Sequence, residues 1–143
     1  EYRAKRGHAF VMMRQPEQRL LSGYFNVPDH HGWNPLWGEP RSVLQYAQVT
    51  GGMAVKMLTR DNPREYDPRP VLPHEPPIAV RRLRKGFAFI GLTEQYDLSI
   101  CLLHKMFGGE CNSHEFMVSH HGRVHAKTYN VTEYLGSFRD HAD

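Results

Sequence analysis

The chain has 143 residues, of which 40% are hydrophobic, 11% aromatic and 23% charged, an ordinary globular composition and a length suited to one domain, not two. Eighteen Lys and Arg against fifteen Asp and Glu leave a net charge of +3, which suits an anionic ligand but lacks the electrostatic footprint of a duplex-DNA binder. No stretch approaches the roughly 18 to 20 apolar residues of a membrane helix, the basic start Glu1 to Arg6 has no apolar run behind it to make a signal peptide, and two cysteines exclude a disulfide scaffold.

In chain order, the first predicted element is a short strand from His8 to Met13. Its nearly continuous apolar character is that of a strand covered on both faces of a parallel sheet. Pro16 and Glu17 then suit the first turn of a helix running to about Phe25, because proline presets φ there and an acid complements the dipole. From Asn26 to Pro40 lies a loop rich in Gly, Pro and His that carries Trp33 and Trp37. Val43, Leu44 and Ala47 have helical spacing within a stretch from Arg41 to Val49, Gly51 and Gly52 interrupt it, and Met53 to Leu58 resumes it.

Thr59 to Pro77 holds six prolines and reads as an extended loop, long for a compact domain. Ile78 to Lys85 patterns as a basic amphipathic helix stopped by Gly86. A second apolar strand, Phe87 to Leu92, follows it. Thr93 suits the N-cap of a helix through about Phe107, with Leu98, Cys101, Leu102 and Leu103 as its buried stripe and Gly108-Gly109 as its stop. Near the end, Val124 to Val131 reads as a strand and the residues after Thr132 as a short helical turn. The alternation of strand and helix predicts an α/β fold with a parallel sheet flanked by helices. Two clear strands are too few for a complete sheet, so the chain reads as part of a larger fold.

Chemistry concentrates after the first strand, in Met13-Arg14-Gln15-Pro16-Glu17-Gln18-Arg19-Leu20-Leu21-Ser22-Gly23-Tyr24. Arg14 falls at the carboxyl end of a buried strand, where open α/β sheets bind ligands. The helix beginning at once behind it turns its free N–H groups toward the same crevice. Ser22, one to two turns along, adds a hydroxyl, and guanidinium, hydroxyl and helix N-terminus together suit a phosphate. In the alternative reading Arg14 caps the sheet edge and Ser22 is a small packing residue.

The pattern Arg-x-Pro-x-x-Arg-x-x-Ser-x-Tyr after an apolar strand resembles the 3′-phosphate-binding segment of sulfotransferases that use PAPS (3′-phosphoadenosine 5′-phosphosulfate). The resemblance implies that Arg14 and Ser22 hold the 3′-phosphate of PAPS or of its product PAP, while Arg19 makes a structural ion pair. Three further segments are similar to the carbohydrate-type branch in the same order: Gly52 to Thr59, with Arg60 where that branch commonly has Gly; Phe89-Ile90-Gly91-Leu92-Thr93-Glu94 with Ser99 to Leu103 behind it; and Tyr129 to Gly136. The implied fold is the P-loop-like sulfotransferase fold, incomplete in this chain. The implied activity is transfer of a sulfuryl group to a carbohydrate hydroxyl, in the Golgi lumen for an enzyme of that type.

The family's 5′-phosphosulfate loop and general base lie upstream of this motif, and only thirteen residues precede Arg14. The chain is therefore expected to be the carboxyl-terminal part of one sulfotransferase-like domain, spanning residues 1–143 and not catalytic alone. The alternative is a non-catalytic structural or interaction subunit of a larger assembly. An RNA-contacting domain ranks last, since it rests only on the basic run Arg81 to Lys85 and lacks an aromatic-plus-basic module.

Several other residues invite a reading. Arg84-Lys85-Gly86 resembles a nucleotide contact of cytosolic sulfotransferases but reads better as a solvated helix end. Arg123 and Lys127 fall where related enzymes place a basic loop over the nucleotide. His120, His121 and His125, or His30 and His31, form no metal motif, because Gly122 breaks the helix that the four-residue spacing would need, and no metal is expected. Cys101 and Cys111 either bridge, which would imply an oxidising lumen, or Cys101 is a buried small hydrophobe. Asn130-Val131-Thr132 is a glycosylation sequon. Trp33, Trp37 and Tyr46 either stack on sugar or fill a small core beneath a loop.

Overall fold

The computed structural model describes residues 7–26, 33, 36, 38–61, 67–117 and 128–143. Strand β1 (Ala9–Met13) leads into helix α1 (Pro16–Asn26), followed by α2 (Val43–Thr50), α3 (Met53–Thr59) and α4 (Glu75–Gly86). Strand β2 (Phe87–Leu92) then enters a 3-10 turn, Thr93–Gln95, and helix α5 (Tyr96–Phe107). A second 3-10 turn, Ser113–Phe116, and helix α6 (Val131–Leu135) complete the described elements. The fold is mixed α/β, and its sheet consists of β1 and β2 paired in parallel.

The pairing sets Phe10 opposite Phe89, Val11 opposite Ile90, Met12 opposite Gly91 and Met13 opposite Leu92. Gly91 has a steric reason to lack a side chain, since a Cβ there would run into the Met12 sulfur. One sheet face packs on α5, where Phe10 meets Phe107 at 5.0 Å between ring centroids and Phe89 is buried. Ile90 and Leu92 on the other face remain exposed. The apolar strands therefore do not signify coverage on both faces here: among the described residues, Phe10 on one face and Ile90 and Leu92 on the other stay exposed.

The main core lies among helices, away from the sheet. Leu20 and Leu21 of α1 pack with Trp33, with Tyr46 and Ala47 of α2 and with Leu135 of α6, supported by Tyr24, Val43 and Phe138. Burying each such leucine contributes about 1.5–3 kcal/mol. Gln18 ties this layer to the chain end: its side-chain amide donates to Tyr129 O and accepts from Tyr129 N, both at 2.8 Å, as a strand neighbour would. Glu17, also buried, accepts from Asp140 N at 3.0 Å. It is thus a tertiary anchor in addition to a dipole-complementing residue.

Several elements differ from their sequence readings. The proline-rich loop is shorter than expected, because Pro76 and Pro77 sit in the first turn of α4, where a missing N–H costs nothing. Gly86 is the buried last residue of α4, and its carbonyl accepts from Gly7 N at 2.7 Å. Thr93 does not cap α5, which begins three residues later after the 3-10 turn. Its buried position is Ser99, whose hydroxyl accepts from Leu92 N at 2.9 Å and donates to Leu92 O at 3.1 Å. Leu98 is 69% exposed, and Leu102 and Met106 share its exposure. Of the expected strand Val124 to Val131, residues 124–127 lie outside the described residues, and Val131 begins α6 instead.

Asn130 supplies the N-cap of α6, its Oδ1 accepting from Glu133 N at 3.3 Å. Cys101 and Cys111 form a disulfide with Cα atoms 4.9 Å apart, which settles the choice between a bridge and a buried thiol. The bridge ties α5 to the chain beyond Gly108 and Gly109, both at positive φ.

Candidate functional site

Parallel pairing has a direct chemical consequence: the carboxyl ends of β1 and β2 share one edge. Met13 faces Leu92 in the register, so Arg14 and Gln15 on one strand meet Thr93 and Glu94 on the other. α1 starts at that edge, with Pro16 as its first residue. In open α/β sheets ligands gather at this end of the strands.

Gln15 and Glu94 organise the edge. The Gln15 N–H donates to Glu94 Oε1 at 2.9 Å, although the two residues are 79 positions apart. The Gln15 side chain accepts from Gln18 N at 2.8 Å and donates to Glu17. The first turn of α1 is thus capped from within, and the expectation of N–H groups left open toward a ligand is corrected for Gln18. Glu94 also accepts from the Thr93 hydroxyl at 3.3 Å. Partial burial opposes its ionisation, but the Gln15 N–H, its own backbone amide, the Thr93 hydroxyl and the charge of Arg14 outweigh this and hold its carboxyl below the ordinary value. Glu94 therefore stays anionic beside Arg14.

Arg14 is half-buried in the short link between β1 and α1, and Ser22 is half-buried on α1. Six residues of helix separate Ser22 from Pro16, a rise of about 9 Å. The two residues therefore belong to one strand–turn–helix unit, Arg14 at its edge and Ser22 farther along the helix.

Arg19 points to other work. Its Nη2 lies 2.6 Å from Asp143 Oδ2 and 3.7 Å from Asp140 Oδ2. Those two aspartates in turn occupy the start of α3: Asp140 accepts from Gly52 N at 3.0 Å, and Asp143 accepts from Val55 N at 2.9 Å and Ala54 N at 3.2 Å. The donors at that helix start are satisfied by the chain's own carboxylates. Burial pushes the Asp140 carboxyl up, against the Gly52 N–H that favours its charge.

The segment Gly52 to Arg60 is structural in the same way. Lys56 is buried, and its Nζ donates to Asp67 O at 3.0 Å. Burial and neighbouring Arg60 lower its pKa, against nearby Asp67, Asp143 and Asp140. Arg60 bonds Asp67 at 2.6 Å and Glu75 at 2.8 Å, and Arg69 closes the group on Asp67 at 2.6 Å. Sequence reasoning missed this network. Its only outward sign is the Arg60 that stands where the resembling family commonly has Gly.

The remaining candidates separate by position. Arg84 and Lys85 occupy the exposed last turn of α4, immediately before β2, and so at the opposite edge of the sheet from Arg14. A strand of this length spans roughly 17 Å, too far for one phosphate to be shared. Trp33 and Tyr46 are buried, with ring centroids 6.2 Å apart and the indole N–H donating to Gly38 O at 2.7 Å. They fill a core beneath a loop and do not form an open stacking wall. Arg123, Lys127, His120, His121, His125, His30, His31 and Trp37 lie outside the described residues. Among the described residues no cluster of three His, Cys, Asp or Glu could hold a metal ion, and no helix is long and apolar enough to cross a membrane.

Compared with known proteins, the chain matches no family model, no curated protein and no solved structure.

Proposed function

We propose that this chain is the carboxyl-terminal part of a PAPS-dependent sulfotransferase domain of the carbohydrate type, its two strands belonging to the P-loop-like sulfotransferase sheet. The reaction is in-line transfer: the bond from sulfur to the 5′-phosphate oxygen breaks as a new bond forms to the acceptor oxygen. The acceptor hydroxyl gives its proton to the general base that the family carries upstream of this motif, and PAP leaves. The observation that carries this reading is the shared carboxyl edge, which brings the Arg14-Gln15-Pro16 turn and the Thr93-Glu94 turn together although 79 residues separate Gln15 from Glu94.

Within this chain, Arg14 and Ser22 are the donor-binding residues. The planar guanidinium of Arg14 suits two oxygens of the 3′-phosphate, and the Ser22 hydroxyl adds a third bond. Both bind and orient PAPS, and neither makes or breaks the sulfur–oxygen bond. Such an enzyme working on carbohydrate belongs in the Golgi lumen, and the disulfide between Cys101 and Cys111 suits an oxidising compartment.

Titration calorimetry with PAP and with AMP, which lacks the 3′-phosphate, tests the reading. PAP should bind more tightly than AMP. Arg14→Ala should cost about 10- to 100-fold in PAP affinity, the value of a charge-assisted bond, and leave AMP nearly unchanged. Equal affinity for the two nucleotides, or a variant as tight as the parent, would refute it.

A second reading, a non-catalytic interaction subunit, is favoured by the exposed apolar surface of Ile90, Leu92, Leu98, Leu102 and Met106. It predicts no PAP binding together with a solution mass above that of a single chain.

A further inference from the structure

The sequon Asn130-Val131-Thr132 is left unused by the sulfotransferase reading, and the fold presents it in an unusual setting. Asn130 and Thr132 are both exposed. Asn130 Oδ1 is engaged by Glu133 N at 3.3 Å, while Nδ2, the atom that carries a glycan, has no partner among the described residues. Attaching a sugar at Nδ2 leaves the carbonyl oxygen in place, so the cap of α6 survives the modification.

Beside Asn130 lies an aromatic cluster that is partly exposed. Phe25 stacks on Tyr129 with ring centroids 5.5 Å apart and an interplanar angle of 19°, and meets Tyr134 at 5.0 Å. Phe25 is 44% exposed and Tyr134 39%. Tyr134 stands one helical turn beyond Asn130, on the same side of α6, and its N–H bonds Asn130 O at 3.3 Å. Such half-exposed rings offer an apolar surface on which the face of a sugar can pack. The disulfide between Cys101 and Cys111 independently suits the oxidising lumen in which sequons are read.

We propose that Asn130 carries an N-linked glycan whose first N-acetylglucosamine rests on the rings of Phe25 and Tyr134. In the attachment step Nδ2 forms a bond to the anomeric carbon of a lipid-pyrophosphate-linked oligosaccharide. The bond from that carbon to the pyrophosphate oxygen breaks, the lipid pyrophosphate leaves, and Nδ2 loses one proton. Thr132 supplies the hydroxyl that the transferring enzyme reads.

The test uses the protein isolated from its own cells. Peptide mass mapping should find Asn130 glycosylated, and complete enzymatic deglycosylation should convert it to Asp. Thr132→Ala should abolish the glycan with the Asn130 cap intact, and Thr132→Ser should keep it. An endoglycosidase that leaves one sugar should preserve the thermal midpoint, complete removal should lower it, and Tyr134→Ala should erase that difference. An unmodified Asn130 overturns the proposal, and equal midpoints with and without the first sugar overturn its seat on the rings. Neither outcome depends on PAP binding.

Discussion

Replacing Arg60 by methionine should unfasten the ion network that joins α3 to α4. The Arg60 side chain is 12% exposed and its partners Asp67 and Glu75 only 4% and 7%. Removing one member of such a buried group leaves a carboxylate without its cation, at a cost of about 3–5 kcal/mol. Asp67 keeps three bonds from Arg69, and Glu75 keeps the Leu72 N–H and the Thr59 hydroxyl. The low end, about 3 kcal/mol, is therefore the expected loss. For a chain of this size that is a fall of roughly 10 °C in Tm.

The pH dependence supplies the sharper check. The Arg60 bond holds the Glu75 carboxyl at about 2, against an ordinary 4.5. Because the folded value lies below the unfolded one, its contribution is whole above pH 4.5 and lost as pH falls toward 2. Asp67, held down chiefly by Arg69 and also by Arg60, follows the same sign. In the methionine variant burial acts on Glu75 without Arg60 to oppose it. The gap in stability between parent and variant should thus be widest at neutral pH and narrow below pH 4.5. Urea unfolding across this range reads it directly. A gap under about 1 kcal/mol at neutral pH, the scale of a surface ion pair, or one that stays constant on acidification, would refute the reasoning.

Gly52→Ala should destabilise by about 2–4 kcal/mol, because Gly52 has φ 67° and a Cβ would collide with Val71 and crowd Ala142 at 3.1 Å; a thermal midpoint unchanged in calorimetry would refute the close approach. Breaking the disulfide by the double change Cys101→Ala and Cys111→Ala should cost about 2–3 kcal/mol, the entropy of a loop of this size, seen as a lower urea midpoint that no longer responds to reductant. Glu94→Gln keeps an acceptor for the Gln15 N–H but removes a negative charge beside Arg14. If PAP binds there, the variant should hold it about fivefold more tightly, the effect of about 1 kcal/mol of repulsion in water. Calorimetry showing weaker binding would mean that the nucleotide sits elsewhere.

The local elements were legible because their signals are local. Pro16 and Glu17 mark the start of α1, Gly108-Gly109 the end of α5, and the run Phe87 to Leu92 is a strand with the expected bounds. The strand–turn–helix around Arg14 was equally legible, since its residues are consecutive. Exposure was less so: Leu98 and Leu102 have the spacing of a buried stripe yet face outward, because periodicity defines a face without saying what covers it.

What only the tertiary structure decided is where distant polar groups go. Glu94 caps the turn that carries Arg14, Asp140 and Asp143 occupy the start of α3, and Arg60 pairs across a proline-rich loop. No spacing rule announces such partners, because each pair is set by how elements 15 to 88 residues apart cross. Hydrophobic periodicity and turn chemistry act over a few residues and so are written along the chain. A buried charge instead takes whichever opposite charge the packing brings within reach, and that choice exists only once the chain has folded.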